Sequence, residues 1–113
     1  MAFQRKEFPI LEYDESKVPV IDPQKLIQKI DVPECCVITF FRDAIEAKKE
    51  AGVLKQVGEF QSATIDIPIY ETVFEGSRIC LVLGFLGAPG AAGQLEELIA
   101  LGCNKFIVCG GAG

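Results

Sequence analysis

Between residues 78 and 113 an apolar run, a glycine-rich corner, an amphipathic stretch and a second apolar run follow one another without a break, an order few folds accommodate. Ile79, Cys80, Leu81, Val82 and Leu83 read as a buried strand, and Gly84, Gly87, Gly90 and Gly93 then fall at every third position around Pro89. The spacing predicts a helix from near Ala91. It places Ala91, Ala92, Leu95, Leu98 and Ile99 on its inward face, Gln94, Glu96 and Glu97 on its solvated face, and Gly102 as its stop. Residues 105–109 supply the next strand. This is a βαβ unit of about thirty residues, whose right-handed crossover makes the two strands parallel and sets a ligand position at their carboxyl ends.

The second strand runs into Gly110-Gly111-Ala112-Gly113, where a ligand-cradling loop is expected, because backbone N–H groups exposed by glycines after a parallel strand are anion donors. Glycines before a helix have two uses, close helix–strand packing and free amides for an anion, and the sequence alone leaves both open. The G-x-x-G-x-x-G spacing differs from the dinucleotide fingerprint, which argues against a nicotinamide cofactor.

Upstream, residues 1–22 scatter Phe3, Phe8, Ile10, Leu11, Val18, Val20 and Ile21 among charges and prolines, which predicts an extended arm on the surface of a domain spanning 23–113. Asp22-Pro23 opens a short helix to about Lys29, with Leu26, Ile27 and Ile30 facing inward and Pro33 beyond it. A buried strand is expected over 36–41. Asp43 and Glu46 form a capping-box pattern for a helix that Gly52 stops. Residues 53–60 suit an edge strand. Over 64–74, Ile65, Ile67 and Ile69 alternate with Asp66 and Tyr70, and Pro68 marks an edge or bulge. Glu75-Gly76-Ser77 turns that strand back into residues 78–83. The prediction is therefore an α/β domain with a mixed sheet of about five strands flanked by helices.

Half of the 113 residues are hydrophobic, 24% are charged and the net charge is −5, which suits one soluble domain and no nucleic acid, since no Lys/Arg cluster offers a phosphate-tracking surface. No apolar run reaches the length of a membrane span, and Arg5, Lys6 and Glu7 interrupt any signal-peptide core, so a cytoplasmic location without membrane contact is expected. Five cysteines, mainly in apolar strands, read as free core thiols. Cys35-Cys36 lacks C-x-x-C spacing and the chain has no histidine, so neither a metal nor a redox centre is expected.

Gly87-Ala88-Pro89, Leu95-Glu96-Glu97-Leu98, Ala100-Leu101-Gly102 and the strand-plus-glycine ending 106–113 together resemble the nucleoside phosphorylase family, the purine and uridine phosphorylases and related nucleosidases. A weaker similarity reaches back to about Val37, so the resemblance covers about two-thirds of the chain. It implies a three-layer arrangement in which a nucleoside N-glycosidic bond is cleaved with inorganic phosphate as co-substrate and no other cofactor, in a pentosyltransferase that assembles as an oligomer. Only an amino-terminal portion of the family's chain is matched, and base preference lies in the unmatched part.

By resemblance, the phosphate and ribose are held at Arg42, Gly87, Gly110, Gly111 and Ala112. Arg42 is what remains of the family's early G-D-P-x-R loop, here Thr39-Phe40-Phe41-Arg42-Asp43. Val108 stands where a phosphate-binding arginine is usual, Gly111 where a hydroxyl is usual, and Gly90 where a serine often follows the proline. With those ligands depleted and no catalytic residue assigned, the chain is expected to be inactive alone. It is expected to take a nucleoside or ribose phosphate and to form a homo-oligomer through an unpaired strand edge, a strand-swapped form included. Two alternatives stand beside these expectations. Arg42 could pair locally with Asp43, and the whole could be a non-catalytic module for small-anion or nucleoside binding, or for assembly.

Overall fold

The computed structural model describes residues 26–112 together with Glu7, so the expected arm over 1–22, the start of the short helix and Gly113 lie outside the described residues. Among the described residues seven elements follow in order: β1 (Cys35–Thr39), α1 (Arg42–Glu50), β2 (Lys55–Phe60), β3 (Ile67–Phe74), β4 (Ser77–Leu83), α2 (Ala88–Leu101) and β5 (Lys105–Cys109). The strands form one mixed sheet in the order β2-β3-β4-β1-β5. β1 lies parallel to both β4 and β5, and β3 pairs antiparallel with β2 and β4. This is the α/β class with a five-stranded mixed sheet.

Register explains the continuous apolar runs of the central strands. Cys36 pairs with Cys80 and Ile38 with Val82, so these four face one side, where Leu98 of α2 joins them with Phe60, Ile67, Ile69 and Cys103. Leu81 and Tyr70 point to the other side, where Ile45 of α1 covers them with Val37, Leu54 and Leu83. Strands covered on both faces have no polar side to show. α1 contributes one buried residue, Ile45, and its remaining Lys and Glu positions are solvated.

The hairpin between β3 and β4 turns through Glu75 (φ 49°) and Gly76 (φ 79°) between the paired Phe74 and Ser77. Two consecutive positive-φ residues are what a two-residue type I′ turn requires. Pro68 lies one residue before β3 joins β4 at Ile69↔Val82, so on that side it meets no ladder. The bulge falls instead in β2, between Gln56 and Gly58.

Several expectations need correction. β1 stops at Thr39, leaving Phe40 and Phe41 exposed, because Thr39 Oγ1 accepts the Phe41 N–H at 3.1 Å and turns the chain into α1. The capping box does not form: Arg42 already begins the helix, so Asp43 sits inside its first turn. Tyr70 is buried under α1 while Ile65 is exposed beyond the end of β3. Leu26, at 74% exposed, and Ile30 do not face inward; the chain there crosses to α2 by the Ile30 N–H to Leu101 O bond of 3.1 Å. α2 itself starts at Ala88 and is rotated from the expected face. Gln94, Leu98 and Ala100 are buried, whereas Ala91, Ala92, Leu95 and Ile99 are exposed.

Candidate functional site

The connections leaving β1 and β4 run to helices on opposite faces of the sheet, α1 and α2, so a crevice opens at the carboxyl ends of these neighbouring parallel strands. Gly84 N–H extends the pairing by one bond, to Thr39 O at 2.8 Å. From this corner the chain runs through Leu86 and Gly87 into α2. On the β1 side Arg42 stands at the first position of α1.

Glycine is required here for two different reasons. A Cβ on Gly84 would lie 2.6 Å from the Cε1 and Cζ atoms of Phe40, too close to stand without moving the ring. Gly87, the N-cap of α2, has φ 81° and ψ 152°, a conformation closed to side chains at ordinary cost. Gly93 has open space where a Cβ would go, and nothing in the structure requires it. One loop thus uses glycine in two ways, close approach to Phe40 at Gly84 and backbone freedom at Gly87.

Gln94 holds this loop in place. Its side chain is 2% exposed; Nε2 donates to Leu83 O at 2.8 Å, and Oε1 accepts the Phe85 N–H at 3.1 Å. Among the described residues no side chain caps the helix. Within its first turn the Ala91 N–H bonds Gly87 O and Pro89 has no N–H. The N–H groups of Ala88 and Gly90 have no partner among the described residues. Such amides and the helix dipole favour negative charge at this end.

Arg42 and this loop share a hollow of about 380 Å³. Gly84, Phe85, Leu86 and Gly90 line it from the loop, Ser62 and Thr64 bring hydroxyls from the β2–β3 connection, and Ile65, Ile67 and Leu83 form its apolar wall. Among the described residues Arg42 is its one charged lining residue. Ser62 Oγ is engaged by its own loop, accepting the N–H groups of Ile65 at 3.0 Å and Thr64 at 3.4 Å. A second hollow of about 290 Å³ adjoins it under α1 and carries mixed charge from Arg42, Glu46, Lys49 and Asp66. Arg42 makes no ion pair with Asp43 among the described residues, whose ion pairs join Arg78 to Asp31 and Glu71.

Of the residues singled out from sequence, Arg42 lies in the larger hollow and Gly87 lies between its lining residues Leu86 and Gly90. Gly110, Gly111 and Ala112 do not line it. Gly110 lies beside the Phe40 ring, where an added Cβ would be 3.4 Å from Cδ2, and an added Cβ on Gly111 would have nothing within 4 Å. Val108 is exposed on β5 and is not among the residues that line the hollow. Sequence reasoning missed Ser62, Thr64 and Gln94. A hydroxyl-rich loop between two strands was the available signal for the first pair, and a lone amide among apolar helix residues for the third.

The thiols divide into two groups. Cys36, Cys80 and Cys103 are buried together in the core, with Cys80 Sγ 3.9 Å from Cys103 Sγ, while Cys35 is exposed and Cys109 half-buried. Hydrogen bonding to Cys103, with burial added, raises the Cys36 thiol far above its ordinary value and pushes Cys80 up to about 12. Cys103 is shifted down by its contacts with Cys36 and Cys80, against its own burial. Among the described residues no group of His, Cys, Asp or Glu side chains is arranged to hold a metal ion. No described helix is long and apolar enough to cross a membrane. The chain matches no protein-family model, and no curated protein matches it significantly.

Proposed function

We propose that this chain is the phosphate and ribose side of a nucleoside phosphorylase-like protein, which holds a phosphate or sugar phosphate without carrying out phosphorolysis alone. The observation that supports the reading most directly is the shared hollow at the carboxyl ends of β1 and β4, which Arg42 lines together with the glycine loop and Gly90 of the first turn of α2. A phosphate there would have Arg42, Thr64 and Gly90 of the first turn of α2 around it, while the wall of Ile65, Ile67 and Leu83 suits a sugar ring. Phosphorolysis asks for more, because the phosphate must be stripped of water and aligned against the anomeric carbon while the base departs. Val108 and Gly111 offer neither charge nor hydroxyl for that work.

The test is thermal unfolding of the full chain with inorganic phosphate, ribose 1-phosphate and common nucleosides, repeated with Arg42→Ala. At ten times the dissociation constant a ligand adds about 1.4 kcal/mol of stability. That raises the midpoint by about 6–11 °C for a domain of this size. The expected result is a phosphate-dependent rise that Arg42→Ala abolishes, with no release of free base from any nucleoside. Absence of any rise at tens of millimolar phosphate overturns the binding reading, and measurable phosphorolysis overturns the inactivity. A second reading, a non-catalytic anion-binding module acting in assembly, is favoured by the exposed strand edge described next. It predicts the same response to inorganic phosphate but none to ribose or nucleosides.

A further inference from the structure

The two edges of the sheet are built differently. β2 carries Lys55 and Glu59 and breaks register between Gln56 and Gly58, features that blunt an edge strand against pairing. β5, at the opposite edge, carries one charge, Lys105 at its start, and no bulge. After Lys105 it reads Phe-Ile-Val-Cys, and its pairing with β1 runs unbroken from Cys35↔Lys105 to Thr39↔Cys109. Ile107 and Val108 point to opposite faces of the sheet, yet they are 64% and 63% exposed.

The backbone of β5 shows which groups are available. Lys105 N–H donates to Glu34 O at 3.0 Å, and Cys109 O accepts from Phe40 N–H at 3.0 Å, so the odd-numbered residues turn their polar groups toward β1. In a parallel ladder successive residues alternate, so the N–H and C=O groups of Phe106 and Val108 point out of the sheet. Among the described residues no strand pairs with that side.

We propose that β5 pairs antiparallel with β5 of a second copy of this chain, about a two-fold axis passing through Ile107. Phe106 and Val108 flank Ile107 symmetrically, so each Phe106 meets Val108 of the other copy and exchanges both N–H···O bonds with it, using every outward polar group of the two residues. Ile107 meets its own symmetry mate at the close, non-hydrogen-bonded position on one face, and Val108 is covered by Phe106 of the other copy on the opposite face. Lys105 falls opposite Cys109, which sends the two ammonium groups to opposite ends of the joint and avoids like charges face to face. A slip of one residue would turn the outward groups away from one another, and parallel addition would not close on itself. The joint yields a closed dimer with one continuous ten-stranded sheet, and it does not depend on the phosphate hollow.

Sedimentation velocity on the full chain, with two variants, tests this. Val108→Pro removes an outward N–H that β1 does not use, a substitution edge strands tolerate. Ile107→Lys sets two charges against each other at the axis. The expected result is a dimer at micromolar concentration, a dissociation constant raised at least about tenfold in each variant, and unchanged circular dichroism. Should Val108→Pro fail to fold, Ile107→Lys decides alone, since its side chain is exposed in the single copy. A wild-type monomer at about 100 μM, a dimer indifferent to the variants, or growth past the dimer into open assemblies would each overturn the proposal.

Discussion

Gln94→Leu removes the clamp on the glycine loop while keeping nearly the same side-chain volume. Two partners are left behind, the Phe85 N–H and the Leu83 carbonyl, which lie 3.1 and 2.8 Å from the Gln94 amide. An unsatisfied buried polar group costs about 1–3 kcal/mol. Leu83 and Phe85 are half-buried, so water reaches part of the gap and the lower half of that range applies to each. The expected loss is about 2–4 kcal/mol, a large share of the 5–15 kcal/mol that separates a domain from its unfolded chain. The chain has no tryptophan, so urea unfolding followed by far-ultraviolet circular dichroism is the suitable assay.

Gln94→Glu makes the reasoning sharper. A glutamate can still accept the Phe85 N–H, but only its protonated form can donate to Leu83 O. The folded state therefore binds that proton more tightly than the unfolded chain does, and the pKa of Glu at position 94 is raised on folding. Its contribution is present below the ordinary glutamate value near 4.3 and is lost as pH rises through the raised value. Gln94→Glu should match the wild type near about pH 4 and fall below it at neutral pH, whereas the deficit of Gln94→Leu should not depend on pH. If Gln94→Leu lies within about 0.5 kcal/mol of the wild type, or Gln94→Glu follows the wild-type pH profile, the clamp is not what holds the loop.

Gly93→Ala adds a methyl group in open space inside α2 and should stabilise the chain by about 0.5–1 kcal/mol in the same urea assay. Under native conditions an aromatic disulfide reagent should titrate Cys35 and Cys109 rapidly, and the buried Cys36, Cys80 and Cys103 only once denaturant is added. Alkaline pH should destabilise the fold. Cys80 ionises near 9 when unfolded but only at about 12 when folded, so its stabilising contribution is intact below 9 and is lost as pH rises from there. Melting midpoints should decline over that interval, and less so in a Cys80→Ala variant; equal profiles would refute the assignment.

The order of elements was legible because its signals are local. A two-residue turn at Glu75-Gly76, apolar runs at 79–83 and 105–109, and Gly52 and Gly102 beyond the helix ends each act within a few residues. The face of α2 was not legible, because its only polar side chains are Gln94, Glu96 and Glu97 and the remaining positions are apolar or glycine. Periodicity cannot choose a face on a helix apolar almost all round. The choice was made by tertiary bonding: Gln94 satisfies two backbone groups of the loop, and turning it inward carries Leu98 into the core and leaves Leu95 and Ile99 outside.

The candidate site divides along the same line. Arg42 and the glycine loop could be placed together from sequence, since both follow parallel strands and the ends of parallel strands converge. Their hydroxyl neighbours could not. Ser62 and Thr64 reach the hollow because β2 folds back antiparallel along β3 from Lys55↔Glu71 to Phe60↔Ile67, which delivers the loop between them to the end of the sheet where Leu83 and Gly84 lie. That delivery depends on the register of two strands and on a bulge at Gln56/Gly58, and a one-residue change in either would move the hydroxyls to the opposite face. Gly110 fails for the complementary reason. It does follow a parallel strand, but it lies beside Phe40, exposed once β1 ends at Thr39, and is not among the residues that line the hollow.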